Sequence, residues 1–142
     1  MIKLVKNRVF SKDVKNGEFD VACIIWNCES TPHDPLTINI IKAFPDILKA
    51  DKQKKEADFY KMGEYTYQFV KELQLKLVLL YCKYKPYSII EYTALALAIR
   101  NLAETLRGDE VIGIHLPKCQ YPDVFKQILE IELGEYDVKL YG

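Results

Sequence analysis

At 142 residues the chain has the length of one compact domain, and hydrophobic residues make up 49% of it, enough for a full core. Twenty basic and twenty acidic residues cancel, which excludes binding to nucleic acid or anionic membrane by bulk charge alone. No apolar run approaches the roughly 20 residues that a bilayer span requires, and the first residues lack a signal-peptide apolar centre, so the expected location is cytoplasmic, with no membrane partner.

Ile2 to Val5, extended towards Val9-Phe10, reads as a first strand, and Asn16-Gly17 marks a turn. Asp20 to Trp26 is a continuous apolar run bounded by turn residues, the pattern of a strand buried on both faces. Asp34-Pro35 is a helix start, with Asp as N-cap and Pro at the first helical position. Leu36, Ile40, Ile41 and Phe44 then line one face until Pro45. Asp46 to Met62 is lysine-rich and reads as a short helix and a loop ending at Gly63.

Tyr65 to Val70 is β-prone, and Leu75 to Cys82 is a second buried strand with Lys83 at its end. Ser88 and Glu91 match a capping box, and Ile89, Tyr92, Leu95, Ile99, Leu102 and Leu106 recur at helical spacing until Gly108. Val111 to Leu116 is a strand, Pro122 opens a helix that Gly134 stops, and Val138 to Tyr141 is a final strand. No repeat, low-complexity tract or linker interrupts the chain, so residues 1–142 form one domain. The alternation predicts an α/β fold: a three-layer α/β/α sandwich around a mixed, largely parallel sheet. Ligands of such sheets bind outside the carboxyl ends of the strands, which directs attention to Lys83 and Asp123.

Cys23, Cys28, Cys82 and Cys119 show neither a Cys-x-x-Cys pair nor histidines at zinc spacing. No metal, cofactor or disulfide framework is expected, and Cys23 and Cys82 read as small core hydrophobes.

Several segments together resemble the macrodomains, which bind ADP-ribose, and in particular the branch with glycohydrolases that remove ADP-ribose from acidic side chains or DNA bases. Val5-Lys6-Asn7-Arg8-Val9-Phe10 resembles the end of the opening strand in that branch. Asp20 to Asn27-Cys28 resembles the strand entering the first ligand loop, and Phe44-Pro45 resembles the end of the first long helix. Lys83 falls where the branch has its catalytic lysine. Leu116-Pro117-Lys118 resembles the opening of the second ligand loop, Asp123 its acidic residue, and Val138 to Tyr141 the closing strand with its tyrosine. The family's loops are glycine-rich, whereas Glu29 to Pro35 contains no glycine and two prolines, and Lys118 to Asp123 contains no glycine.

The resemblance implies that the ligand is ADP-ribose or a related nucleotide derivative, presented free or on modified protein or DNA. It makes Lys83 the nucleophile and Asp123 the general acid or base. Asn27, Cys28, Lys118, Cys119 and Tyr141 would line the ligand. A lysine nucleophile must lose its proton near neutrality, through burial or a neighbouring cation such as Lys85 or Lys118. The alternative function is that of a catalytically inactive macrodomain-fold protein, a viral or mobile-element accessory protein acting by protein contacts or nucleotide sequestration.

Each of these residues also has a plainer role. Lys83 and Asp123 also read as a surface lysine and a first-turn carboxylate, Asn27 as a turn former, and Tyr141 as a packing residue. Trp26 reads as core, His115 as a hydrogen-bonded core histidine, and His33 as exposed loop. Lys49, Lys52, Lys54, Lys55 and Lys61, with Phe59 and Tyr60, form a basic aromatic stretch of the kind that holds single-stranded nucleic acid. The interleaved Asp51, Glu56 and Asp58 favour a solvated helix face instead.

Overall fold

The computed structural model describes residues 1–53 and 59–142. Lys54, Lys55, Glu56 and Asp58 of the basic stretch lie outside the described residues. The chain runs through β1 (Ile2–Val5), α1 (Phe10–Lys15), β2 (Val21–Asn27), α2 (Pro35–Ala43) and α3 (Ile47–Lys52). It continues through β3 (Tyr65–Val70), β4 (Leu75–Lys83), α4 (Tyr92–Ala103), β5 (Val111–His115), α5 (Pro122–Leu133) and β6 (Asp137–Tyr141). Six strands form one sheet in the order β1-β6-β5-β2-β4-β3. Five of them are parallel, and β3 alone pairs antiparallel, on β4.

Strand alternation divides the core into two layers. Val21, Cys23, Val78 and Leu80 face α4 and α5, packing with Leu95, Ile99, Phe125 and Leu129. Ala22, Ile24, Trp26, Leu77 and Leu79 face the other way, onto Phe10, Val14, Ile40 and Ile47 of α1 to α3. Both faces of β2 and β4 are thus covered, as their unbroken apolar sequence requires. The three-layer α/β/α sandwich with a mixed, largely parallel sheet is the observed architecture. Among the described residues no helix is long and apolar enough to cross a membrane.

Local signals succeed where the competing interaction is weak. Asp34 caps α2 by accepting from the Thr37 backbone N–H at 2.7 Å, and Thr37 Oγ1 accepts in return from the Asp34 N–H. The capping box expected at Ser88 and Glu91 does not form. Ser88 Oγ instead accepts from the Lys85 N–H at 3.2 Å and closes the turn after β4, and α4 starts at Tyr92 with Glu91 as an N-cap whose side chain makes no cap bond. Phe10 was expected to extend the first strand. It opens α1 instead, after Asn7 turns the chain through a positive φ of 61°.

Asp51 corrects the reading of a solvated face. It is fully buried, and its Oδ1 accepts from Trp26 Nε1 at 3.2 Å and from the Tyr81 hydroxyl. Lys61 is buried as well, its ammonium 5.2 Å from the centre of the Tyr81 ring, so neither contributes to a basic surface. Lys49 remains exposed and pairs with Asp46.

Candidate functional site

The carboxyl ends of β1, β2, β4, β5 and β6 all lie on one side of the sheet because these strands are parallel. The loops that follow them leave a crevice there, as expected of open α/β sheets. Its largest cavity, about 680 Å³, is lined by Lys83, His33, Glu91, Lys118, Cys119 and Tyr121, among others. A second, about 360 Å³, has Asp34, His115, Pro117 and Lys118 in its wall and so shares one side with the first. A third, about 240 Å³, continues past His115 to Arg8 and Tyr141.

Lys83 ends β4 beside Asn27, its register partner at the end of β2. Its amine is half-buried and donates to the Pro86 carbonyl at 2.7 Å. Burial pulls its pKa below the ordinary lysine value, while the Asp34 carboxylate acts in the opposite direction. Glu91 is brought close by its own backbone, whose N–H donates to the Cys82 carbonyl at 2.8 Å. Glu91 is exposed, lines the cavity and makes no side-chain cap bond to α4. Asp123 is exposed in the first turn of α5 and is not among the residues lining the Lys83 cavity.

The first loop is folded on itself. The buried Asn27 side chain donates to the Thr31 carbonyl at 2.8 Å and accepts from the Thr31 N–H at 3.2 Å. Cys28 is fully buried, with its N–H directed to the Lys83 and Tyr84 carbonyls. Ser30 adopts a positive φ of 59°, the left-handed conformation usually given to glycine. The N–H groups of Ser30, Thr31 and Asp34 all have acceptors within the loop or its helix cap, and Pro32 and Pro35 have none to offer. Asn27 and Cys28 thus shape the loop from beneath.

On the second loop Lys118 is exposed and Cys119 is half-buried. The Tyr92 hydroxyl accepts from the Tyr121 N–H at 3.1 Å, tying this loop to the start of α4. At the far end Tyr141 is only 3% exposed and packs edge-on against Phe10 and Phe19. Its hydroxyl donates to Asp13 at 2.7 Å, and Asp13 also accepts two bonds from Arg8. The ring expected to stack on a ligand is mostly engaged in the core.

Both histidines are half-buried and line the crevice, where a core position was expected for His115 and an exposed loop for His33. His115 is half-buried in the crevice wall against Phe10, and burial lowers its pKa. His33 lines the Lys83 cavity, edge-on to Tyr87 at 5.0 Å, and its buried Nδ1 has no hydrogen-bond partner. Sequence reasoning missed Glu91 because its spacing from Ser88 matched a cap. It missed His33 because nothing local announces that a loop folds back over a cavity. No cluster of three or more metal-ligating side chains occurs among the described residues.

No protein-family model matches this sequence, and no curated protein does either. Solved structures do resemble the fold. The macrodomain of Thermus aquaticus DarG superposes with a TM-score of 0.73 at 14% identity, covering 100% of this chain and 98% of that one. A protein of unknown function from Bacteroides thetaiotaomicron gives 0.76 at 15% identity, covering 99% and 97%. Thermosipho africanus DarTG, solved in complex with ADP-ribose, gives 0.75 at 15% identity over 99% of this chain and 41% of that longer one. This chain therefore has the three-layer fold of the macrodomains.

Proposed function

We propose that the crevice binds ADP-ribose or a closely related nucleotide derivative, and that Lys83 removes ADP-ribose from a modified protein or DNA. The observation that carries this reading is the Lys83 amine, half-buried on the wall of the largest cavity and depressed in pKa by that burial. A lysine in that state supplies unprotonated amine closer to neutrality than a solvated one does.

In the chemistry implied by the resemblance, the amine attacks C1″ of the distal ribose. The bond from C1″ to the acceptor breaks, the acceptor leaves with the electron pair, and a nearby base takes the amine proton. Ring opening gives a Schiff base, which water hydrolyses to free ADP-ribose and restored lysine. His33 and Glu91 line the cavity and are better sited than Asp123 to shuttle the protons. Lys118 and Cys119 line the same cavity, Asn27 and Cys28 hold the first loop, and Arg8 and Tyr141 line the third cavity.

Calorimetric titration with ADP-ribose tests binding, and the absence of heat at millimolar ligand ends the whole proposal. If heat is seen, release of ADP-ribose from a modified glutamate peptide or thymidine-modified DNA tests turnover. Activity unchanged in Lys83→Ala excludes the covalent route.

A second reading is favoured by the first loop, where the N–H groups of Ser30, Thr31 and Asp34 already have acceptors and where Asp34 and Glu29 repel a diphosphate. In it, the crevice holds a ligand or protein partner without turnover. Heat without release of ADP-ribose from either substrate supports it.

A further inference from the structure

We infer that two copies of this chain pair edge to edge through β3, antiparallel, into one continuous sheet. This does not depend on the proposed function. β3 is an edge strand, and edges are normally guarded by charge, proline or a bulge. The opposite edge follows that rule: β1 is four residues long, includes Lys3 and is followed by Lys6. β3 does not. It reads Tyr-Thr-Tyr-Gln-Phe-Val, with no charge, no proline and a regular register with β4 from Tyr65 to Val70.

The direction of its free hydrogen-bonding groups is fixed by the ladder. The Tyr81 N–H donates to the Glu64 carbonyl, so Glu64 is directed at β4. Alternation then directs Thr66, Gln68 and Val70 at β4 and leaves the N–H and C=O of Tyr65, Tyr67 and Phe69 facing outwards. A twofold axis at Tyr67 pairs Tyr67 with Tyr67 of a second copy and Tyr65 with its Phe69. Every outward group then finds a partner, and the aromatic side chains meet across strands on one face, where such pairs stabilise a sheet.

The side chains are available for this. Tyr67 is 51% and Phe69 53% exposed, and Leu97 on the neighbouring α4 extends the apolar patch at 44%. The formal net charge of +0 opposes no approach of two copies. Because the two β3 strands run antiparallel to each other, the paired sheets place the two crevices at opposite ends, open and independent.

Sedimentation equilibrium of the full chain tests the pairing, together with amide exchange at Tyr65, Tyr67 and Phe69. A mass twice the 16.5 kDa of one chain is expected, with those three amides protected at high concentration and exchanging freely on dilution. Tyr67→Lys places a charge on an already exposed position and should weaken dimerisation at least tenfold while leaving the circular dichroism of the monomer unchanged. A monomer at all concentrations, open-ended aggregation, or a dimer indifferent to Tyr67→Lys and to the exchange of these amides overturns the proposal.

Discussion

Asp34 holds Lys83 back from losing its proton: burial drives the Lys83 amine towards its neutral form, and the Asp34 carboxylate draws it back towards the ammonium. Asp34→Asn separates the two effects, because asparagine caps helices as well as aspartate does. Loss of the negative charge should lower the Lys83 pKa further and increase the free amine at neutral pH. Labelling of Lys83 by an amine-selective reagent, followed across pH by peptide mass spectrometry, should show its midpoint moving down. His115 should shift the same way by NMR, since Asp34 also raises its pKa. A Lys83 midpoint that stays or rises contradicts this account.

Lys83 also makes stability depend on pH. Its folded-state pKa lies below the ordinary 10.5, so between the folded value and 10.5 the unfolded chain holds more protons. Stability contributed by this site therefore rises as pH rises through that window and is flat below it. The difference in unfolding free energy between wild type and Lys83→Met should grow in favour of wild type as alkaline pH is approached. Urea titrations at several pH values measure it, and a constant difference counts against a depressed lysine.

Asp13 gives the same sign in the acid range: its folded-state pKa is also lowered, so stability from this site rises with pH there. It joins Arg8 to Tyr141, and hydrogen bonding from Arg8 lowers its pKa against the cost of burial. Its contribution is present above the unfolded value of 3.8 and is lost as pH falls through the folded one. Asp13→Ala leaves the Tyr141 hydroxyl buried without its acceptor, at a cost of about 1–3 kcal/mol, whereas Tyr141→Phe removes one hydrogen bond for about 1 kcal/mol. Equal costs in denaturant melts are not expected.

The order of the strands and helices was legible because hydrophobic periodicity records burial, and burial fixes these elements. Val21 to Trp26 and Leu77 to Cys82 are apolar at every position since each faces a helix layer on both sides. Of the residues expected to act on a ligand, Lys83, Lys118 and Cys119 line one cavity, because position at the end of a strand is enough to bring them to the crevice. Asp123 reads like a catalytic carboxylate and does not line the cavity, while Glu91 reads like a cap and does. Whether Ser88 and Glu91 form a cap is decided by competing bonds that the pattern does not display, here the Glu91 N–H to the Cys82 carbonyl and the Lys85 N–H to Ser88 Oγ. His33 and Asp51 were misread for the same reason: their environments are built by distant segments of chain.

Gly113 in the middle of β5 carries a packing constraint of this non-local kind. A Cβ there would lie 2.7 Å from the Phe19 ring, and Phe19 is held in turn by Phe10 and Tyr141. Gly113→Ala should cost about 1–3 kcal/mol through overpacking. Gly108→Ala is a useful comparison, since it meets no neighbour within 4 Å and carries only the strain of its positive φ. A Gly113→Ala protein with wild-type stability would show that the aromatic cluster shifts freely.

Ser30 links the glycine-free first loop to both readings of the crevice. Its φ of 59° costs a residue with a Cβ on the order of 1 kcal/mol, and the loop keeps it there because Asn27 anchors Thr31 from one side and the Cys28 N–H anchors to β4. Ser30→Gly should relieve that strain and raise stability, less the added entropy of the unfolded chain. It should also free the loop backbone to approach an anion, so that if ADP-ribose binds at all, Ser30→Gly binds it no more weakly than wild type. Asn27→Ala should have the reverse effect by releasing Thr31. Melting curves give the first comparison and calorimetry the second. A less stable Ser30→Gly would mean that the serine side chain holds the loop through a contact worth more than the strain.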